Sequence, residues 1–422
     1  MYNIHSHYEN VFSFLKTISK EPVLLHFFPF GSIEYENIEI MHCNGSGIPN
    51  SPLVLCFDQE PVTEHLIKII DQVFDDWGAG KKIILLNTEN NSLIKNKILS
   101  DLKVIDCYYF FHIFAAADWY RGYQYNSDII DPIKRNIKKK FITFNRITGD
   151  SRAYRSLFIS ALNKNNLIDL GHISYSDNCP VHGDMKTNLI NLIDKHNVSP
   201  KVIYEAIENL RNIKFPLRID HKELDFIPNG SQTIDALPQI MESFLHVVTE
   251  TCFWENKQHL TEKIFKPIVT KQPFVLLGCA NNLSYLKSYG FKTFNKWWDE
   301  SYDSIDDPIT RIDAVVEIIK NISKFSNSQL TDLLNEMQST LNYNYNLFYS
   351  KKFIDSTWNE LTENLKNAVN LSHKNAISRH ELVFNKNYNV IKQTYKQIVY
   401  NEKSWNDLKS NLNINTNSIN IR

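Results

Sequence analysis

A chain of 422 residues is longer than one hydrophobic core ordinarily serves, which favours two domains. With 43% hydrophobic and 22% charged residues it has the make-up of a folded globular protein rather than a disordered one. Its 46 basic and 47 acidic residues give a formal net charge of −1, which excludes a general nucleic-acid coat but leaves room for a local basic groove. The opening stretch is polar and broken by His5, His7, Glu9 and Asn10. No apolar run approaches the roughly 18 residues of a membrane span, so neither a secretory leader nor a span is expected. The six cysteines (43, 56, 107, 179, 252 and 279) form no C-x-x-C pair, and Cys56 lies inside the apolar run Leu-Val-Leu-Cys-Phe. Buried, reduced thiols and a cytoplasmic location are expected.

Short apolar runs alternate with segments of helical period over most of the chain. Residues 23–28, 53–57, 82–86 and 104–111 read as buried strands, having strand length and β-branched or aromatic side chains. Helices are predicted over 62–77 and 92–102. The basic run 134–140 reads as a solvated connection, with a hinge near 140. The alternation then restarts with strand 141–145, helix 151–163 and strand 168–174. Residues 176–235 are polar and less regular, as an insertion would be. Strand 243–248, helix 261–271, strand 273–277, helix 282–289, a short strand 291–294 and helices 312–325 and 328–342 follow. Beyond about residue 350 the chain is helical and polar, ending in asparagine-rich sequence. Near-continuous apolar strands joined by helices predict an α/β fold with parallel sheets covered on both faces. The expected architecture is two Rossmann-like domains, 1–138 and 139–348, facing across a cleft, with a helical C-terminal extension over 349–422. A ligand belongs in that cleft, at the carboxyl ends of the strands.

The most informative stretch is 243–278. A strand ends in Thr249-Glu250-Thr251, a polar loop follows, and a helix opens at Thr261. Thr261 suits an N-cap, and Glu262 in the first turn suits the positive end of the helix dipole. Free N–H groups there, with the Lys263 ammonium, would attract an anion. A carboxylate for a ribose hydroxyl pair beside a cation for a diphosphate meets the needs of a nucleotide-sugar. An ordinary capped helix accounts for the same residues equally well.

The segment resembles the donor-binding region of GT-B glycosyltransferases, especially the α1,3-fucosyltransferase-like and exostosin-like groups. The matching residues are Glu250, Thr261-Glu262-Lys263, Pro273 and Leu277-Gly278. The resemblance implies that Glu262 binds the nucleotide ribose and Lys263 the donor phosphates, with inversion at the transferred sugar. The chain departs from the pattern at Thr251, where fucosyltransferase-like proteins usually carry Asn. A second resemblance is Phe141-Ile-Thr-Phe-Asn-Arg146 followed by Arg152, Tyr154 and Arg155, like the Asn-Arg segment that opens the C-terminal domain of such transferases.

Arginine is scarce in this chain, yet Arg146, Arg152 and Arg155 fall within ten residues. A guanidinium suits a diphosphate because it offers permanently charged, bidentate hydrogen bonds. Arg152 and Arg155 share a helix face, so one of them can instead be structural. Candidates for a catalytic base are Asp58 and Glu60, where a buried strand runs into a turn stopped by Pro61, and Asp118 in an alanine-rich segment. Either of the first two could instead cap the following helix. His112, Trp119 and Tyr120 are candidate acceptor-binding residues, the aromatic pair as a stacking surface, although a histidine after an apolar run is more often a core residue. Gly45-Ser-Gly47 could approach a ligand, and Trp297-Trp298-Asp299-Glu300 reads as a packing corner.

Asp75-Asp76 lies within a helical pattern and lacks Asp-x-Asp spacing, so no metal is expected. No P-loop or early G-x-G-x-x-G is present, which weakens ATPase and dehydrogenase readings. The expectation is a metal-independent glycosyltransferase without a bound cofactor. Its nucleotide-sugar donor would be a co-substrate, and its acceptor a glycan or a hydroxymethylated pyrimidine in DNA, the latter served by the basic run and Trp119. A nucleotide- or sugar-binding protein without turnover is the alternative.

Overall fold

The computed structural model describes residues 4–19, 24–27, 39–42, 53–77, 83–102, 104–125, 131–215, 217, 219, 234 and 236–374. The strands are β1 (Leu24–Phe27), β2 (Glu39–His42), β3 (Leu53–Phe57), β4 (Ile83–Asn87), β5 (Ile105–Tyr108), β6 (Lys139–Asn145), β7 (Gly171–Tyr175), β8 (Asn178–Cys179), β9 (Gly183–Asp184), β10 (Ser243–Thr249) and β11 (Phe274–Leu277). A five-stranded sheet runs β2-β1-β3-β4-β5 and a four-stranded sheet runs β11-β10-β6-β7. Every pairing in the two sheets is parallel except β1 with β2. β8 and β9 form a separate antiparallel hairpin. The fold is thus mixed α/β with parallel sheets.

The helices are α1 (His7–Ile18), α2 (His65–Trp77), α3 (Leu93–Asp101), α4 (Phe111–Trp119), α5 (Tyr154–Lys164), α6 (Met185–His196), α7 (Pro200–Arg211), α8 (Leu237–Met241), α9 (Phe265–Val269), α10 (Asn282–Ser288), α11 (Pro308–Ser323), α12 (Asn327–Phe348) and α13 (Lys351–Lys374). No helix among the described residues is long and apolar enough to cross a membrane.

Successive side chains of a strand point to opposite faces, so a wholly apolar strand requires helices on both sides. Val54, Cys56, Ile84 and Leu86 join one core with Val11 and Leu15 of α1 and Leu361, Leu365 and Val369 of α13. Leu53, Leu55, Phe57, Ile83 and Leu85 join another with Leu66, Ile70 and Val73 of α2 and Ile98 of α3. The first sheet therefore depends on the far end of the chain. The expected C-terminal extension begins with α13, and that helix closes one face of the first sheet; residues 375–422 lie outside the described part.

α4 ties the two sheets together. Phe111, Phe114 and Ala115 enter the first sheet's core, while Ile113 and Ala116 enter the large core of the second. A helix apolar all round has to be buried. This corrects the expected strand over 104–111, which ends at Tyr108 and gives way to helix three residues later. Periodicity alone does not separate strand from helix in such an apolar run.

A second tie is polar. The loop before Thr261 pairs with the loop after β4: Asn90 N–H donates to Gln258 O at 3.2 Å and Gln258 N–H to Asn91 O at 3.0 Å. Beside them the buried Lys257 ammonium donates to Val62 O and Glu89 Oε1, each at 3.2 Å, and pairs with Glu255. Burial opposes the Lys257 charge, but its acidic neighbours outweigh that and hold the ammonium above its ordinary value.

Other expectations need correction. The polar opening of the chain is amphipathic rather than broken, and forms α1. The described part of 176–235 is more regular than an insertion suggests: α6 and α7 bury Leu189, Leu192, Ile203, Ile207 and Leu210, and most of 216–235 lies outside the described residues. The helix expected over 261–271 is a 3-10 turn, Glu262–Ile264, followed by the five-residue α9. Residues 291–294 form no strand. The basic run 134–140 is not a free solvated linker. Arg135 is buried and donates to the carbonyls of Thr270 and Lys271, and Lys139 and Lys140 lie in β6. Lys138 pairs with Glu242 at 2.5 Å, and Lys140 donates to Phe325 O at 2.7 Å. Gly45-Ser-Gly47 and Cys43 lie outside the described residues; the other five cysteines are free and buried.

Removing one partner of a buried ion pair strands the other charge, at a cost of about 3–5 kcal/mol. Lys257→Met should therefore lower stability by about 3 kcal/mol, and adding Glu89→Gln should cost less than the sum of the two single changes. Denaturant unfolding of the four proteins measures this, and strictly additive losses would contradict a coupled pair.

Candidate functional site

Side chains from segments that follow β3, β5, β6 and β10 act on one another: Glu60, His112, Arg152 and the Thr261–Lys263 turn. β10 delivers Glu250, which is fully buried and whose two oxygens are both occupied. Oε1 accepts from the Thr261 N–H at 3.2 Å; Oε2 accepts from the Thr261 hydroxyl at 2.6 Å and the Thr251 N–H at 3.2 Å. Glu250 therefore fastens the Thr-Glu-Lys turn to the strand end, and its complete burial keeps it from a ligand. Gly278 lies against it, since a Cβ there would come within 3.3 Å of the Glu250 Cβ.

Held in this way, the turn presents Glu262 and Lys263. The Lys263 ammonium donates to the hydroxyls of Thr251 and Thr261 at 3.2 and 3.0 Å and to Glu262 Oε1 at 3.0 Å. It remains about one-quarter exposed, so a ligand can reach it. Burial pushes the Glu262 carboxyl up, yet Lys263 and then His112 outweigh it and bring the group down to about 2. Glu262 is therefore an anion at neutral pH. A 3-10 turn followed by five α-helical residues is too short to contribute much helix dipole, which corrects the expected anion site at a helix start. The positive charge here comes from side chains.

The expected arginines separate. Arg155 is buried, and its guanidinium donates to Ile147 O at 2.8 Å, Thr249 O at 2.9 Å and Glu250 O at 3.0 Å. It braces the ends of β6 and β10 and is a structural residue. Arg152 closes the 3-10 turn Asp150–Arg152, which is fixed by a hydrogen bond from the Trp254 indole to Ser151 O at 2.8 Å and by Lys195 on Asp150 at 2.6 Å. Its charge acts on both Glu60 and His259. Arg146 is half-buried directly after β6.

The first sheet contributes Glu60 and His112. Glu60 is half-buried. Burial raises its carboxyl above the ordinary value, Arg152 and Lys263 pull it back, and Glu262 pushes it up again. It thus faces two cations and one anion of the second half. His112, in the first turn of α4, places Nδ1 3.5 Å from Glu262 Oε2. Burial lowers this imidazole to about 4, so it is neutral at pH 7. His259 stands edge-on to it at 5.5 Å, buried and pushed well below its ordinary value first by burial and then by surrounding positive charge. Its backbone N–H and C=O are both bound by the Asn282 side chain at 3.2 Å. Among the described residues, no group of three or more His, Cys, Asp or Glu side chains could hold a metal ion.

Of the remaining candidates, Tyr120 reaches this group, its hydroxyl donating to the Glu262 carbonyl at 3.5 Å, while Asp58 and Asp118 are held by partners elsewhere. Asp58 is buried under α1, where Tyr8 donates to one carboxylate oxygen at 2.7 Å and Tyr109 to the other. Tyr109 also contacts His7 Nε2 at 2.7 Å. Asp118 is buried and paired with Arg121 at 2.5 Å. Trp119 is half-buried and packs against both cores, and Tyr120 is wholly buried with its carbonyl accepting from the Tyr349 hydroxyl at 2.6 Å, so Tyr120 offers no open stacking face. Trp298 stacks on Phe294 at 5.2 Å and Glu300 binds Lys287, Thr293 and the Phe294 N–H, as a packing corner should. Lys257 and His259 escaped the sequence reading. Their signal was weak: two basic residues in a polar loop just before the Thr-Glu-Lys turn.

The chain matches no family model, no curated protein and no solved structure.

Burial lifts Asp58 from 3.8 to about 6, against the lowering effect of its bonds from Tyr109 and Tyr8. The native state then holds this proton more tightly than the unfolded chain, so between about pH 4 and 6 stability contributed here falls as pH rises, and is constant above. Relative to Asp58→Asn, the wild type should lose stability across that window in chemical denaturation. A pH-independent difference would contradict the assignment.

Proposed function

We propose that this protein is a metal-independent glycosyltransferase of the GT-B type, its two halves acting as Rossmann-like domains across a cleft. It would move a sugar from a nucleotide-sugar to an acceptor hydroxyl, with inversion, in the cytoplasm. One observation carries the reading: Glu60, after a strand of the first sheet, feels the charges of Arg152, Lys263 and Glu262, which lie in segments that follow strands of the second. In this scheme Glu262 binds the ribose hydroxyls. Lys263 and Arg152, with Arg146 nearby, hold the diphosphate and stabilise it as it leaves, so the reading calls for no metal. Glu60 accepts the proton of the acceptor hydroxyl as its oxygen bonds to the anomeric carbon and the bond to the diphosphate breaks. Asp58 and Asp118 are poorer bases, because their partners already hold them.

A saccharide acceptor fits better than DNA, since the side chains of the 134–140 run are largely engaged within the protein. A binding protein without turnover is the second reading, favoured only by the loss of two of three candidate bases. Donor hydrolysis or transfer by the purified protein rejects it.

Glu60→Gln should lower kcat by about 10²–10⁴-fold with donor affinity nearly unchanged, whereas Glu262→Ala should weaken donor binding by about 10–100-fold. The acid limb of the wild-type rate profile should lie above the ordinary carboxylate range, because Glu60 works only when ionised and burial raises its value. Steady-state kinetics with direct donor binding separates these effects. Full turnover by Glu60→Gln would remove Glu60 as the base.

A further inference from the structure

We propose that His112 is a positioning residue for Glu262, supplied by the first half of the chain to the ligand-binding carboxylate of the second. This rests on the reading of Glu262 as the ribose-binding group. Glu262 has one oxygen, Oε1, tied to Lys263 of its own turn at 3.0 Å. The other, Oε2, faces His112 Nδ1 at 3.5 Å, and both side chains are almost fully buried. Neither ring nitrogen of His112 makes a hydrogen bond of normal geometry within the protein, so Glu262 is its nearest carboxylate and the Gln59 backbone its other polar neighbour. The ring cannot drift from that position. Phe111 stands edge-on to it from α4 at 5.5 Å, and His259 does so from the second half. His259 is itself pinned at its backbone by Asn282.

The groups facing His112 are Glu262 and Lys263 from the Thr-Glu-Lys turn, His259 from the loop before it, and Gln59 from the turn that carries Glu60. If the ring proton is on Nδ1, the neutral imidazole turns the positive end of its dipole toward Oε2, 3.5 Å away, without adding a charge. It thereby fixes the carboxylate plane while leaving Lys263 as the cation for the ligand. A ligand hydroxyl pair then meets a carboxylate oriented from both halves of the protein, and its affinity depends on how those halves sit together.

The test uses the full chain with UDP and GDP and their 2′,3′-dideoxy counterparts, by calorimetry. His112→Leu removes the donor, and His112→Asn keeps an N–H near the place of Nδ1. His112→Leu should weaken the ribonucleotide about 10-fold and leave the dideoxynucleotide unchanged, with His112→Asn recovering most of the loss. A merely structural role would weaken both nucleotides equally. Full ribose discrimination by His112→Leu overturns the proposal, while a wild type without ribose discrimination overturns the reading of Glu262 beneath it. A ligand-independent arm compares the unfolding midpoints of His112→Leu, Glu262→Gln and the double variant. Non-additive shifts support the contact, and additive shifts overturn it even where no nucleotide binds.

Discussion

A lysine taken out of water must keep its charge partners or lose its charge, and Lys257 keeps both by sitting between the two halves of the chain. Glu89 reaches it from the loop after β4, and Glu255 from its own loop. That placement sets the approach of the segment 252–260, whose end carries His259 and the Thr261-Glu262-Lys263 turn. Once the loop is fixed, Glu250 fastens the turn from beneath and Arg155 braces the strand ends behind it. The lysine adds to the two other ties between the halves, α4 and the backbone pairing of Asn90 and Asn91 with Gln258.

Charge in the site is arranged by the same logic. Glu60, Glu250 and Glu262 would repel one another strongly if withdrawn from water without partners. Glu250 accepts from the Thr261 turn and the Thr251 N–H, while the Glu262 anion pairs with Lys263. Glu60 is left with Arg152 and Lys263 as its nearest cations. Two buried imidazoles line the same region as neutral groups, supplying direction rather than charge. The result separates a carboxylate held ionised far below its ordinary value from one raised above it. In the proposed reading the first binds the ribose and the second takes the proton.

Much of the strand framework was readable because fully buried parallel strands are written as unbroken apolar runs: 53–57 matches β3 residue for residue. Where an apolar run belonged to a helix shared between two cores, as in 104–119, the period carried no information and the strand was extended too far. Amphipathic α1, α6 and α7 were missed because their polar faces dominate the composition. At the site, the Thr-Glu-Lys turn was legible as a local pattern, and its neighbours were not. Whether Asp58 or Asp118 is available depends on Tyr8, Tyr109 and Arg121, which reach those two carboxylates through the fold. Arg152 and Arg155 look equivalent in sequence, and only the position of three carbonyls makes one structural. His112 acquired its significance from Glu262, 150 residues away in the chain.

The central claim is that strand-end residues from both sheets form one site for a nucleotide-sugar. The most direct measurement is release of nucleoside diphosphate when the purified protein is incubated with a panel of nucleotide-sugars and saccharide acceptors. The account predicts that one donor class is consumed with sugar transferred to an acceptor, and that Arg152→Ala and Lys263→Ala each suppress the release. Failure of every donor to bind or to be consumed, in a protein shown to be folded, would contradict it.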